Sequence, residues 1–287
     1  TEKNLKDFRL KHNLQKPGDP IRVDHWTMRR LAEETASSPR ASRGYLALAL
    51  NFEMTGLMRI LSFVTLAEGA GKFAAFNPNT DKQGLSYGII QWAQKPKRLH
   101  EIVEAFQAAQ PELFKSIFGA SADAMVTHAN LPKGGVDPAT GETVDANFDL
   151  IRQPWKERFL NAALARPLQK IQIEKARAAF AAFIADLRTY ATMIRSERGY
   201  GFMIDLGNQH GTTGAKRIYQ AVFAVPVPPA NEAEALEKIS LESTRRVQLQ
   251  YPPPAGATES REERATRERR DFFRRTTLLS TGDFNQN

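Results

Sequence analysis

Apolar residues recur at helical spacing along most of the chain from residue 55 onward. The segment TGLMRILSFVTLAE, residues 55–68, begins with a threonine suited to an N-cap and continues with apolar residues at helical intervals. Its predicted buried stripe consists of Leu57, Ile60, Leu61, Val64 and Thr65. Glycines at 69 and 71 then end the helix, because glycine readily adopts the left-handed conformation of a helix exit. Glu68 is thereby left in the last turn.

The same periodicity predicts many more helices and one small β element. RLHEIVEAFQAA, residues 98–109, places Leu99, Ile102, Val103 and Phe106 on one face. Further helices are expected near residues 111–129, 152–166, 168–194, 199–210, 213–224, 231–249 and 259–277. Between the first two helices, LSYGIIQW, residues 85–92, follows a turn-rich stretch and alternates as one strand of a hairpin would. The chain is therefore predicted to be mostly α.

The first part of the chain differs from the rest in its pattern. The first forty residues are polar and are interrupted at KPGDP and SSPRAS, which predicts an N-terminal arm or small helical cap over 1–50 and one large domain over 51–287. No run of eighteen apolar residues occurs, so membrane insertion is not expected. The chain begins with Thr1 rather than Met, and we expect it to be part of a longer chain.

Composition narrows the available chemistry. Of 287 residues, 41% are hydrophobic, which is enough for a sizeable core, and none is cysteine. Thiol nucleophiles, disulfides and cysteine-based zinc sites are therefore excluded. The five histidines show no metal-binding spacing, so neither a metal nor a cofactor is expected.

A net charge of +8 favours an anionic partner, such as nucleic acid, an acidic membrane or an anionic polymer of the cell envelope. Much of this excess lies in the arginine-rich segment 244–277, where glutamates alternate with the arginines. A mixed-sign run is typical of a solvated helix face. Nucleic-acid binding is therefore an alternative and is not our leading expectation.

Two carboxylates near the first helix exit could work together. The negative end of the helix dipole disfavours a charged Glu68 by a few tenths to about 1 kcal/mol, which favours its protonated form. Asp81 follows among polar turn residues, a wetter setting in which it would stay ionised. Hydrolysis of a glycosidic bond uses such a pair, one carboxyl as acid and the other as base or nucleophile. The plain alternative is that Glu68 is a solvated helix terminus and Asp81 merely begins a turn.

The stretch DKQGLSYGIIQW, residues 81–92, resembles the hairpin signature of bacterial chitosanases, roughly D-x-x-G-Y-T-x-G-I-I-x-F. It is also similar to the S-F-G-I-I-Q-W segment of peptidoglycan hydrolases in the same lysozyme-like superfamily. In both groups a helix end of the type E-[SG]-G precedes the hairpin, as residues 68–71 do here. The resemblance implies a lysozyme-like, two-lobed helical fold with a small β-hairpin at the active site.

The resemblance also implies roles for individual residues. Glu68 takes the position of the general acid, Asp81 that of the base that activates water, and Ser86 that of a hydroxyl residue that helps to hold the water. Two features depart from the chitosanase pattern. The spacing from Glu68 to Asp81 is shorter, and Leu85 replaces an aromatic residue. The first departure could change the separation of the two carboxyls and hence the stereochemistry of the reaction.

Other residues near the hairpin are candidates for substrate binding. Asn77 and Asn79 are polar neighbours of Asp81, and Gln91 could donate a hydrogen bond to an N-acetyl group. Tyr87 and Trp92 could stack on sugar rings, although aromatic residues at strand spacing are often core residues.

Two downstream residues are assigned structural roles. Asp205, in the apolar run GFMIDLGNQHG, is interpreted as a buried hydrogen-bond anchor. His210, beside Gly211, is interpreted as a residue at a helix end.

Charge also bears on the substrate. Chitosan is a polycation, whereas peptidoglycan carries carboxylates, so a protein of net charge +8 is expected to favour peptidoglycan. The leading prediction is a muramidase that cleaves the β-1,4 bond between N-acetylmuramic acid and N-acetylglucosamine without a metal or cofactor. The alternatives are a chitosanase and a non-catalytic cell-wall-binding module.

The resemblance further implies a biological setting, because such domains occur in phage lysins and in secreted antibacterial effectors. The expected partner is peptidoglycan, with an immunity protein in the case of an effector. The expected place of action is the periplasm or cell wall of a bacterium.

Overall fold

The computed structural model describes residues 55–69, 71–78, 84–95, 97–129 and 149–284, and helices dominate these ranges. The described helices are α1 (Gly56–Gly69), α2 (Arg98–Ala109), α3 (Pro111–Phe118), α4 (Ala122–His128), α5 (Trp155–Ala162), α6 (Arg166–Tyr190), α7 (Glu197–Phe223), α8 (Glu232–Gln250) and α9 (Arg261–Arg275). The described strands are β1 (Phe76–Pro78), β2 (Leu85–Tyr87) and β3 (Trp92–Ala93). Within these ranges, none of the helices combines the length and apolar character that crossing a bilayer requires. The predicted class, mostly α with one small β element, is confirmed.

The chain divides into two compact units. The first unit contains Thr1–Ala67 and Ala179–Asn287, and the second unit contains Glu68–Ala178. The arm predicted over 1–50 lies outside the described residues, so the boundary near residue 50 stays a prediction.

Helix α1 forms as its sequence predicts. The backbone N–H of Met58 donates to Oγ1 of Thr55 at 3.3 Å, so Thr55 is the N-cap. All five residues of the predicted stripe are buried, and Met58 and Phe63 are buried as well, so α1 is enclosed on most sides. Just beyond the helix end, Gly71 has a φ of +66°, a left-handed backbone that glycine adopts without strain.

The first unit is built on α7 and its neighbours. Helices α7, α8 and α9 pack against one another, and the ring of Phe63 from α1 stacks on Phe272 of α9 with centroids 4.6 Å apart. Helix α7 runs from 197 to 223 but leaves helical geometry at Gly211, whose φ is +71°. The sequence predicted two helices separated at this glycine, and the break is confirmed.

A buried charge cluster joins α7 to α9. Asp205 is fully buried and accepts hydrogen bonds from Arg269 Nε at 2.8 and 3.0 Å and from the guanidinium of Arg270. Arg270 is also fully buried and donates to Gln209. Arg269 further donates to the carbonyl of Ala67 at 3.5 Å. The interpretation of Asp205 as a buried hydrogen-bond anchor is therefore confirmed.

The second unit encloses an aromatic core beside the sheet. The rings of Phe106, Phe114, Phe118 and Phe159 contact one another in series, with centroids 4.6 to 5.7 Å apart. The ring of Tyr87 from β2 continues this series at 5.0 Å from Phe159. The sheet is antiparallel in the order β1-β2-β3, and α2 packs on β2 and β3.

Several predicted boundaries are wrong in this unit. The single helix expected over 111–129 is two helices, because Gly119 has a φ of +78° and ends α3. LSYGIIQW is not one strand: it turns at Gly88 and Gln91, both with positive φ, and contributes β2 and β3. The sheet gains a third strand, β1, from residues that the sequence had placed in a turn-rich stretch.

Substitution Asp205→Asn is expected to lower the free energy of unfolding by about 3 to 5 kcal/mol, because it removes the buried carboxylate that pairs with the buried Arg270 and the partly buried Arg269. Urea denaturation measures this change. The control is Glu237→Gln, which removes an exposed partner of Arg274 at 3.7 Å and is expected to cost less than about 1 kcal/mol. Equal losses in the two variants would contradict the role given to Asp205.

The stability of the protein should also depend on pH through His210. Burial and the nearby charges of Arg270 and Arg246 lower its pKa to about 4, against the opposing effect of Asp205. Between pH 6.5 and 4 the unfolded chain binds a proton at this residue that the folded chain does not. The free energy of unfolding therefore falls as the pH drops through this window, by about 1 to 2 kcal/mol after allowance for partial exposure. Urea denaturation at a series of pH values measures this dependence. In His210→Gln the fall in the free energy of unfolding between pH 6.5 and 4 should be absent, and a pH profile like that of the wild type would contradict the role given to His210.

Candidate functional site

Glu68 lies in the last turn of α1, and its side chain is partly exposed. It has a cation within electrostatic reach. Burial lowers the pKa of Arg98, the first residue of α2, and the negative charges of Glu101 and Glu68 oppose that shift. Glu68 therefore has a positively charged neighbour, and the alternative that it is a solvated helix terminus stays open.

The pairing of the strands decides which side chains can belong to the site. Residues opposite each other in an antiparallel pair project to the same face, and successive residues project to opposite faces. One face carries Asn77, Ser86 and Ala93, and the other face carries Phe76, Tyr87 and Trp92. Asn77 and Ser86 thus project to one face of the sheet, and Tyr87 and Trp92 project to the other.

On the polar face the structure brings together two of the predicted site residues. Asn77 is exposed on β1 and lies directly opposite Ser86, which is 6% exposed. Asp81 and Asn79 lie outside the described residues, so their roles as the second catalytic carboxyl and as a substrate contact stay predictions. The roles of Glu68 and Ser86 in catalysis also stay predictions.

The other face gives Tyr87 and Trp92 a different role from the one predicted. Tyr87 is 1% exposed and Trp92 is 3% exposed, so neither ring presents a surface on which a sugar could stack. The hydroxyl of Tyr87 donates to the carbonyl of Phe159 at 2.8 Å, and burial raises its pKa, which keeps the donor protonated. Both rings belong to the core because the strand pleat turns them away from Ser86.

Gln91 is also committed to the fold. Its backbone φ is +55°, and its side-chain nitrogen donates to the carbonyls of Gly88 at 3.0 Å and Ala75 at 3.4 Å. The amide predicted to bind an N-acetyl group therefore holds the turn between β2 and β3. Of the two residues that it joins, Ala75 comes just before β1 in the sequence and Gly88 comes just after β2.

Three residues that shape the site were missed from the sequence. Arg98 offered a signal, since a cation at a helix N-terminus opposes the dipole and suggests a specific partner. Gln94 is 1% exposed and accepts from the backbone N–H of Leu85 at 3.1 Å. Gln172 lies four residues from both Leu168 and Ala176 on the apolar stripe of α6, and a polar residue at such a position signals buried hydrogen bonds.

No group of three metal-binding side chains occurs among the residues that the structure describes.

Comparison with known proteins identifies the fold of the chain. No family model and no curated protein matches the chain. Among solved structures, it is similar to the GH46 chitosanase of Gynuella sunshinyii in complex with chitotetraose, with 12% identity, 75% of this chain and 84% of that chain covered, and a TM-score of 0.52. It is also similar to the native chitosanase of Bacillus subtilis MY002, with 13% identity, coverage of 76% and 86%, and a TM-score of 0.51. The chain therefore has the chitosanase fold, which confirms the lysozyme-like fold predicted from the hairpin.

The buried hydroxyl of Tyr87 leads to a prediction on stability. Tyr87→Phe removes the donor to a buried carbonyl and is expected to lower the free energy of unfolding by about 1 to 2 kcal/mol. The matched control is Tyr251→Phe, in which the ring is 42% exposed and the change should be within about 0.5 kcal/mol. Thermal and urea unfolding of both variants measure the difference. If Tyr87→Phe were as stable as the wild type, the hydroxyl would not be held in the core.

Proposed function

We propose that this protein is a glycoside hydrolase that cleaves β-1,4 bonds in an amino-sugar polymer, with Glu68 as the proton donor. The main support is the position of Glu68: it ends a buried helix immediately before a small antiparallel sheet, in a chain with the chitosanase fold. No cofactor is needed for this chemistry, because two carboxyl groups suffice.

The reaction divides the work between two carboxyl groups. Glu68 gives its proton to the leaving glycosidic oxygen as the bond to the sugar breaks. Asp81 takes a proton from the attacking water or stabilises the positive charge that develops on the sugar ring. The hydroxyl of Ser86, on the polar face of the sheet with Asn77, helps to hold that water.

Within this class, we favour peptidoglycan as the substrate and a cut after N-acetylmuramic acid. Exposed lysines lie close in sequence to both ends of the candidate site: Lys72 follows α1, and Lys95 and Lys97 precede α2. Arg98 adds a cation within reach of Glu68. Positive charge attracts a polymer with lactyl and peptide carboxylates and repels a polycation.

The second candidate is hydrolysis of chitosan. It is supported by the structural neighbours, which are chitosanases, one of them solved with chitotetraose. Those proteins are only 12 to 13% identical to this chain, so the similarity is evidence for the fold alone. Our choice between the two polymers therefore rests on the charges near the candidate site.

Binding of nucleic acid through the arginine-rich end is a weaker candidate. Most of the arginines described there have acidic partners: Glu242 pairs with Arg245 and Arg246, and Glu259 pairs with Arg267 and Arg264. Hydrogen bonds, first from Arg245 and then from Arg246, lower the pKa of Glu242 to about 2, so the pair stays ionised. Such a face has little excess charge to offer phosphates.

The biological proposal follows from the enzymatic one. We propose that the chain acts on the bacterial cell wall, in the periplasm or from outside, as the lytic part of a phage lysin or antibacterial effector. An effector of this kind would be neutralised in its producing cell by a cognate immunity protein.

Glu68→Gln is expected to lower kcat by about 100- to 10,000-fold, because it removes the proton donor while preserving shape. The assay digests purified peptidoglycan and chitosan in parallel and identifies the products by mass spectrometry. The matched control is Glu101→Gln, which removes the other carboxylate that acts on Arg98 and is expected to retain kcat within about three-fold.

The products distinguish the candidates. New reducing ends on N-acetylmuramic acid support the muramidase proposal, and new ends on N-acetylglucosamine contradict it. Glucosamine oligomers would favour the chitosanase. If the wild type releases products from neither polymer, the remaining candidate is a non-catalytic wall-binding module. In that case Glu68→Gln would not change the biological effect of the protein.

A further inference from the structure

Two backbone segments near the candidate site are joined by hydrogen bonds. The first, residues 73–75, joins the exit of α1 to β1, and the second, residues 88–91, is the turn between β2 and β3. The N–H of Gly88 donates to the carbonyl of Ala75 at 2.8 Å, and the side chain of Gln91 reaches both segments. The first segment begins five residues after Glu68, and the second follows the strand that carries Ser86.

A third contact comes from far along the chain. Gln172 on α6 is fully buried, and both ends of its amide are used. Its Oε1 accepts from the backbone N–H of Ile89 at 3.1 Å, and its Nε2 donates to the carbonyl of Phe73 at 3.3 Å. One side chain therefore bonds to both segments at once.

The turn is shaped to admit this amide. Gly88 has a φ of +81°, and a Cβ atom added there would lie 2.6 Å from Oε1 of Gln172 and 3.0 Å from the ring of Trp92. A side chain at residue 88 would therefore be strained and would displace the amide. Glycine at this position lets the backbone of the turn approach Gln172 closely.

Packing alone does not require an amide at this position. Gln172 lies on a stripe with Leu168 and Ala176, both buried, where an aliphatic residue would fill the same space. A buried amide is costly unless its polar atoms are hydrogen-bonded, so its contribution lies in the two bonds that it makes.

We propose that Gln172 is a positioning residue for the hydrolysis: its amide fixes the segment that follows Glu68 against the turn that follows Ser86. This inference rests on the proposed function. The proton donor and the groups that hold the attacking water must keep their separation during the reaction, and a misplacement of about 1 Å can lower the rate about 100-fold. Gln172 touches no substrate and acts only through the backbone of these two segments.

The first test is Gln172→Met, which keeps the volume and removes both hydrogen bonds. We expect kcat to fall by about 10- to 100-fold with KM within about three-fold of the wild type. The control is Gln169→Met on the same helix, where the lost bond, to the carbonyl of Ala163 at 2.7 Å, does not involve the sheet. Its kcat should equal that of the wild type.

A second measurement is independent of activity. Hydrogen exchange at the N–H of Ile89, whose acceptor is lost in Gln172→Met, should accelerate by about ten-fold, with no change in Gln169→Met. Amide protons of buried α7 residues such as Ile204 should exchange at the wild-type rate in both variants, which separates a local effect from global unfolding.

The third test uses Gln172→Glu as a conservative variant. The introduced carboxyl, when neutral, can accept from Ile89 and donate to Phe73, but when ionised it has no proton to donate. Its kcat relative to the wild type at the same pH should therefore be highest at low pH and should fall as the pH rises, at a midpoint above the ordinary glutamate value because the group is buried.

The outcomes separate this inference from the function on which it rests. An inactive wild type would overturn the hydrolase proposal. An active wild type with full kcat in Gln172→Met would overturn the positioning role alone. So would equal losses of kcat in Gln172→Met and Gln169→Met, or a Gln172→Glu ratio that does not vary with pH.

Discussion

The short sheet depends on hydrogen bonds from side chains of the second unit, because its own strands can form few. Its strands contain three, three and two residues, whereas strands in globular proteins average about five to six. The backbone ladder therefore supplies few hydrogen bonds. Side-chain amides supply the others: Gln94 binds the start of β2, Gln172 binds the turn beyond its end, and Gln91 closes that turn. Because Gln172 lies on α6, the geometry of the sheet depends on a helix that begins 79 residues after β2.

The pleat imposes a second constraint on the same few residues. With β2 only three residues long, Ser86 faces the same side of the sheet as Asn77, whereas Leu85 and Tyr87 face the core. A shift of one residue in register would exchange these roles. The close fit of Gln94 against Gly84 opposes such a shift, since a Cβ at residue 84 would lie 2.5 Å from the amide oxygen.

The contrast between successful and failed predictions follows the range of the interactions involved. The α1 and α2 stripes and the break at Gly211 depend on neighbours within a few residues, and the sequence predicts them. The hairpin signature predicts the fold, because it captures a local turn geometry. Sequence patterns cannot predict the hydrogen bonds of Gln172 to Ile89 and Phe73, because these partners are separated from it by 83 and 99 positions. Asp205 shows the intermediate case: its apolar surroundings identify a buried anchor, but its partners, 64 and 65 residues away, become visible only in the fold.

Tyr87 and Trp92 show why the site was harder to predict than the fold. An aromatic residue in a short strand has the same local sequence whether it faces a glycan or a core, and only the register of β1 and β3 against β2 decides. The turn at Gly88 and Gln91 fixes that register, and the sequence pattern of an uninterrupted strand concealed it.

The net charge of +8 describes the whole chain, but a polymer responds to the charges close to where it binds. In the described residues from α8 to α9, glutamates pair with several of the arginines, and the buried Asp205 accepts from two more, Arg269 and Arg270. These cations are therefore largely compensated, and their fields fall off within about 8 to 10 Å at physiological salt. Around the sheet, by contrast, the exposed lysines at 95 and 97 precede Arg98, whose charge acts on Glu68 itself. Under the proposed function, selectivity for an anionic glycan would thus arise from a few cations near Glu68, the proposed proton donor, and the arginine-rich end would contribute to the stability of its own helices.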